Sequence, residues 1–128
     1  MKYRKLGKSG IDVSEIGFGA WTIGLDWWGR KIDDEEAKKL LKRAYDLGIT
    51  FYDTADMYGK GRSEKLIGKT FKDMRNEIVY STKWGYDFYN VEQVGHNELP
   101  QLHDSTFINL SLGHSLERLQ TDYVDVYS

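Results

Sequence analysis

Short β-rich runs alternate with amphipathic helical stretches along most of this chain, and that alternation narrows its fold more than any other feature. Strand, helix and strand in succession build a parallel sheet with right-handed crossovers. Residues 3–14 come before the alternation and read as a small hairpin. Its two short segments flank the turn-forming cluster Lys8-Ser9-Gly10. Ser14 to Ala20 reads as a buried strand rich in small residues, with a glycine-containing loop from Trp21 to Lys31 after it. Asp33 then caps a helix, and Glu36 sits three residues later, as a capping box requires. Ala37, Leu40, Leu41, Ala44 and Tyr45 share one helical face, and Gly48 ends the helix at C′.

Ile49 to Asp53 is the next β-rich run. Ser63 is expected to cap a second helix, with Glu64 in its first turn, where the helix dipole favours negative charge. Leu66, Ile67 and Phe71 are its expected inner face. Ile78 to Lys83 reads as a third strand, and Trp84 to about His103 shows no clear period. An irregular stretch of that length is more often a functional lid than a connector. A third helix is expected from about Asp104 to Leu119, with Ile108, Leu112, Leu116 and Leu119 facing inward. Tyr123 to Tyr127 is the fourth strand. The expected architecture is a hairpin, then about four parallel strands and three helices, with no internal repeat, low-complexity tract or linker.

Composition excludes several function classes. With 40% hydrophobic residues the chain has the apolar content that disordered chains lack. It has no cysteine, which removes disulfides, Cys-ligated zinc, iron–sulfur clusters and a thiol nucleophile. A net charge of −2, with Lys and Arg dispersed among acids, gives no basic stripe for nucleic acid. Met1 to Lys5 is basic, but no apolar stretch follows, so no secretory signal is expected. No run approaches the roughly 20 apolar residues of a membrane span. The expected location is cytoplasmic.

Reactive groups in parallel α/β folds sit at the carboxyl ends of strands. Those ends carry Gly19-Ala20-Trp21 after the first strand and Asp53 after the second, with Tyr58 five residues on. Lys83-Trp84 follows the third. An acid, a phenol and an ammonium would thus converge on one face. A free tyrosine, with a pKa of about 10, is a poor proton donor at neutral pH. A nearby ammonium favours the phenolate, and a carboxylate beside that ammonium holds it charged and in place. Such a trio can protonate a developing alkoxide, while a hydride must come from a cofactor.

These residues carry a resemblance. Leu6-Gly7-Lys8-Ser9-Gly10 with Val13-Ser14, Gly17-Phe18-Gly19-Ala20-Trp21 and Phe51 through Gly59 are similar to the N-terminal half of an aldo-keto reductase. Gly61-Arg62-Ser63-Glu64, Ser81-Thr82-Lys83, and Ser115 to Leu119 with Thr121 to Tyr127 follow in family order and at family spacing. The resemblance covers essentially all of residues 1–128. It implies half of a (β/α)₈ TIM barrel in an oxidoreductase that reduces aldehydes and ketones with NADPH. Asp53, Tyr58 and Lys83 match three members of the family's catalytic tetrad. The fourth, a His, belongs just after the fourth strand, and none of His96, His103 and His114 stands there. Gly19, Ala20, Trp21 and Asp53 match cofactor positions, and Trp21 and Trp84 match the substrate pocket. Ala20 replaces a commoner Thr. No metal is implied.

Plainer readings stand beside these. Asp53 alone is a turn residue, Lys83 alone a solvated side chain or a Schiff-base lysine, and Asp56 a loop acid. The tryptophans, Trp27 and Trp28 above all, serve equally as core. Gly59-Lys60-Gly61 lacks P-loop spacing, and Gly17-x-Gly19 lacks the third glycine of a dinucleotide fingerprint.

A full barrel takes roughly 250 residues, about twice this chain. Half a barrel leaves two open sheet edges, which invite pairing. The expected outcomes are a piece of a longer reductase or a prematurely ended reading frame, self-association or pairing with a complementary half, and, last, an open sheet alone. In the second, the chain is a catalytically incompetent, truncated half serving at most as an assembly module.

Overall fold

The computed structural model describes residues 1–25, 31–95 and 97–128. Trp27, Trp28 and His96 therefore lie outside the described residues. The hairpin is present: Tyr3–Lys5 (β1) pairs antiparallel with Asp12–Ser14 (β2), Tyr3 opposite Ser14. The Leu6 N–H donates to the Ile11 carbonyl at 2.8 Å to close its turn. Ser14 and Thr50 exchange hydrogen bonds at 3.0 and 3.2 Å, which fastens the hairpin to the amino end of the sheet.

The sheet has four parallel strands in chain order: Gly17–Gly19 (β3), Phe51–Asp53 (β4), Val79–Thr82 (β5) and Val126–Tyr127 (β6). All are shorter than the sequence runs that announce them. Gly19 lies level with Asp53, and Asp53 with Ser81. Parallel pairing without slippage thus brings the carboxyl ends of β3 and β4 to one height, with β5 one residue longer.

Trp21–Gly24 (α1) forms a single helical turn where a loop was expected. Asp34–Asp46 (α2) agrees with its signals, since the Asp33 carboxylate accepts from the Glu36 N–H at 2.8 Å. At its end the Ile49 N–H reaches the Ala44 carbonyl and the Gly48 N–H reaches that of Tyr45, a Schellman closure. Gly48 takes φ +91°, a conformation that penalises any side chain.

Arg62–Phe71 (α3) runs into a 3₁₀ segment, Lys72–Glu77. Ser63 does not cap it. Gly61, at φ 86°, is the N-cap, and Ser63 lies inside the first turn, fully buried. Its hydroxyl donates to the Ala20 carbonyl at 2.9 Å and accepts from the Thr54 hydroxyl at 2.8 Å. Tertiary partners claimed the group that local chemistry would have used as a cap.

Ser105–Leu119 (α4) begins as expected, with Asp104 accepting from the Thr106 and Phe107 N–H groups at 2.9 Å. Its inner face differs. Phe107, Ser111, Ser115 and Leu119 are buried, while Ile108, Leu112 and Leu116 are only half-buried. Small residues allow close helix packing. A Cβ on Gly68 of α3 would fall 2.6 Å from the Arg118 carbonyl oxygen, so this contact is backbone against backbone. Hydropathy counts leucines and overlooks such a stripe.

The core lies between the sheet and the helices, around Tyr52, Phe71, Leu41, Ile67 and Leu119. Rings of Tyr52 and Phe71 sit 4.8 Å apart, and the buried Tyr52 hydroxyl donates to the Leu41 carbonyl at 3.1 Å. Beyond it, Arg75 of the 3₁₀ segment clamps the approach to β6. Its guanidinium donates to the Ile78 and Tyr123 carbonyls and the Asp125 carboxylate at 2.6, 3.0 and 2.8 Å. It also lies over the rings of Tyr80 and Tyr123. Asp125 in turn accepts from the Tyr80 N–H at 2.8 Å. Removing one partner of a mostly buried ion pair costs about 3 kcal/mol. Arg75→Met is therefore expected to lower the unfolding free energy by about that amount in urea titration. A loss below about 1 kcal/mol, typical of an exposed pair, would refute the clamp.

Candidate active site

The level strand ends place the reactive groups. Asp53 closes β4, and its two carboxylate oxygens have separate partners. One accepts from the Ser81 hydroxyl at 3.0 Å and the other from the Lys83 ammonium at 2.6 Å. Lys83 also donates to the Thr54 carbonyl at 2.7 Å. The ammonium is thus held from two sides just beyond β5. Both side chains of the ion pair remain about a third exposed, at 37% and 36%.

Tyr58 reaches this pair through an unusual turn. Gly59, Lys60 and Gly61 take φ of 62°, 54° and 86° in succession. The turn presses on α1. A Cβ on Gly59 would collide with the Gly24 carbonyl oxygen, and one on Gly24 would meet the Tyr58 carbonyl oxygen at 3.0 Å. Gly59 is therefore needed for α1 to lie against this turn, and Gly24 leaves little room for more than a hydrogen. The result is a tilted contact of the Trp21 and Tyr58 rings, 5.4 Å between centroids. The Lys83 nitrogen lies 5.4 Å from the centroid of the same tyrosine ring.

Trp84 follows Lys83 and stacks near Tyr127, 6.3 Å between centroids, with His103 edge-on at 6.0 Å. A cleft of about 1000 Å³ opens between these walls, lined among others by Trp21, Tyr58, Lys83, Trp84, Tyr86 and Leu99. Segment 84–103 supplies its far wall. The segment's two flanks are joined by bonds of their own, Asp87 N–H to the Pro100 carbonyl and Leu102 N–H to the Gly85 carbonyl, both 2.8 Å.

Each site residue named from sequence has a definite place. Asp53, Tyr58, Lys83 and Trp21 come together, and Trp84 stands across the cleft. Gly19 is exposed, with open space where a Cβ would project. Ala20 is fully buried, its N–H on the Asp53 carbonyl and its carbonyl on Ser63, so it supports the strand end from behind and its side chain presents no surface. His114 stacks on Tyr89 at 5.1 Å, away from the trio.

Sequence reasoning missed the layer behind the trio. Asp56, read as a loop acid, is 1% exposed, and burial with the nearby Glu64 charge raises its pKa to about 7. Glu64, expected as a dipole partner, is fully buried; it accepts from Thr82 and from Arg118, both at 2.6 Å. Nothing in the local pattern announces that pair, because Arg118 lies on another helix.

The chain matches known proteins over nearly its whole length. It is 37% identical over 129 residues to the aldo-keto reductase YhdN of Bacillus subtilis (strain 168), a match covering 99% of this chain and 37% of that protein. The solved holo form of aldo-keto reductase AKR11C1 from Bacillus halodurans superposes with a TM-score of 0.84 at 36% identity, covering 99% of this chain and 39% of that one. The aldo-keto reductase from Klebsiella pneumoniae solved in complex with NADPH gives 0.69 at 27% identity, covering 92% and 35%. The chain thus spans well under half the length of these relatives, and its open parallel sheet is part of a barrel. Residues 15–128 match the aldo/keto reductase family, and with the strand-end trio in place the chain belongs to that family, an oxidoreductase lineage of the carbonyl-reducing kind.

Proposed function

We propose that this chain carries the proton-donating part of a site that reduces aldehydes and ketones to alcohols, with NADPH as hydride source. The observation that carries the reading is the Asp53–Lys83–Tyr58 arrangement, a phenol with an ammonium over its ring and a carboxylate holding that ammonium. NADPH is supported by the open strand end at Gly19 and the aromatic walls of the cleft, and by the family relative solved with that cofactor. When bound, NADPH supplies the hydride that no side chain can give. Gly19, Trp21 and Asp53, with Ala20 behind them, would hold its reacting end.

The chain's own residues do the rest. The Tyr58 hydroxyl gives its proton to the carbonyl oxygen as negative charge grows there. Lys83 stabilises the charge left on the phenol, and Asp53 with Thr54 keeps the ammonium aimed. Trp21 and Trp84 form the walls that receive a small carbonyl substrate. The reading places the chain in the cytoplasm, a reducing compartment that suits a cysteine-free sequence. Among the described residues no helix is long and apolar enough to cross a membrane.

Tyr58→Phe removes the transferred proton and is expected to lower carbonyl-dependent NADPH oxidation, with 4-nitrobenzaldehyde as probe, by about 10²–10⁴-fold. Equal rates for the two proteins would sink the assignment.

A second reading rests on the sheet edges. Among the described residues β3 and β6 each pair on one side only, leaving two open edges. In this reading the chain alone is a non-catalytic barrel half that joins a second copy or a complementary half. A dimer mass by light scattering and no heat on titration with NADPH are its expected results. A monomer that binds NADPH with micromolar affinity would decide against it.

A further inference from the structure

Behind the trio lies a connected set of buried polar side chains that the proposed chemistry does not use. Asp56 sits two residues before Tyr58, and its N–H donates to the Lys83 carbonyl at 3.1 Å. Its carboxylate faces the Tyr89 hydroxyl at 3.4 Å. Tyr89 belongs to segment 84–103 and is wedged among Phe88, Phe107 and His114. The same hydroxyl accepts from the Arg118 guanidinium at 3.1 Å. Arg118 also binds Glu64, which takes the hydroxyl of Thr82, the residue before Lys83. One continuous path thus runs from the turn bearing Tyr58, through the far cleft wall and α4, to the strand bearing Lys83.

We propose that Asp56 is a positioning residue that, through the Tyr89 hydroxyl, fastens segment 84–103 to the Tyr58 turn and so sets the width of the cleft. Its catalytic meaning rests on the reading of Tyr58 as the proton donor; the fastening itself does not. The geometry argues for it, because Asp56 lines the cleft on the side of the Tyr58 turn and meets the Tyr89 hydroxyl of the far wall. Charge balance adds a signature. Glu64 on α3, Arg118 on α4, Tyr89 on the segment and the buried Tyr127 hydroxyl on β6 face Asp56, with the Met57 N–H donating to it. Of these, Arg118 alone is a cation, and Glu64 already pairs with it. A proton on Asp56 leaves the cluster neutral, and its loss leaves a buried negative charge without a counterpart.

The sign follows from linkage. The raised pKa means that the closed segment binds a proton which the opened one, with an ordinary carboxylate, releases. Closure is therefore strongest at low pH, weakens as pH rises and levels off above about pH 7. Amide hydrogen exchange of the chain reads this directly, with α2 amides as internal reference. After correction for intrinsic rates, protection of the Asp87 and Leu102 amides is expected to fall at least about tenfold between about pH 5 and pH 7. Asp56→Asn keeps an acceptor for Tyr89 without the charge, and should hold protection flat and high across that range. Tyr89→Phe should lower protection at every pH while α2 stays unchanged.

An unchanged wild-type profile overturns the proposal, as does the same fall in Asp56→Asn, which would show that another group governs it. Protection in Tyr89→Phe equal to wild type also overturns it. In carbonyl reduction, Tyr89→Phe is expected to raise KM severalfold with kcat within about twofold; loss of kcat at constant KM contradicts a positioning role. Exchange needs neither cofactor nor turnover, so equal reduction rates with Tyr58 and with Tyr58→Phe would defeat the reductase reading and leave the fastening to be decided by its own result.

Discussion

Parallel pairing without slippage between β3, β4 and β5 is the constraint on which the rest of the molecule depends. Gly19, Asp53 and Ser81 stand at one level because the three strands pair in register, β3 and β4 ending there and β5 one residue later. A slip of one residue would turn every side chain to the opposite face. Asp53 would then point at the helices, and Lys83 would lose its partner. The register is secured from both faces. Tyr52 of β4 and Tyr80 of β5, paired with each other, are buried on the helix-covered side together with the core. Asp53 and Ser81 hold each other on the other side.

The register alone does not deliver the phenol. Tyr58 lies on a connection, and connections are held by whatever they touch. Here they touch backbone. Gly24 and Gly59 meet so closely that neither accepts a Cβ without displacing main-chain atoms. Ser63 ties the ends of β3 and β4 to α3 from beneath, through Ala20 and Thr54. Arg62 adds bonds to the Ile23 and Ile32 carbonyls at 2.9 and 2.6 Å. A turn with three successive left-handed residues would otherwise be expensive to order. The bonds around it explain why it holds one shape and presents one ring to Trp21.

What the sequence revealed and what it hid divide along a physical line. Features fixed by neighbours in the chain were legible: the hairpin, the Asp33 and Asp104 caps, the Gly48 closure and the alternation that dictates a parallel sheet. So was the meeting of Asp53 and Lys83, because the carboxyl ends of neighbouring strands converge in such a sheet, whereas Tyr58 stands on a connection placed by its contact with α1. Features fixed by distant partners were not. Ser63 has every local qualification for a cap, yet its partners lie on β3 and β4. The Ser111–Ser115 stripe of α4 is invisible to any count of apolar residues, since its value lies in being small. Glu64, expected as a helix-dipole partner, instead pairs with Arg118, which the fold brings to it across 54 positions. Asp56 hides for the same reason, as an acid in a loop whose burial is decided by a segment more than thirty residues away.

Two ion pairs, set in different surroundings, show how the molecule separates chemistry from support. Lys83–Asp53 stays about a third exposed, where solvent screens it and a ligand can reach it. Its contribution to stability is small for that reason, and its geometry depends on the second anchor at Thr54. Glu64–Arg118 is nearly sealed, at 0% and 11% exposure, and each member has further bonds to Thr82, Ser115 and Tyr89. A buried pair is tolerable only when such bonds satisfy its remaining atoms, and it then resists rearrangement because breaking it strands a charge. The pair that the proposed chemistry uses is therefore placed at the open strand ends. The pair that must not move lies one layer behind, attached through Thr82 to the same strand. The two pairs meet in the chain at the peptide from Thr82 to Lys83: Glu64 holds the first residue by its hydroxyl, and Asp53 and Thr54 aim the ammonium of the second.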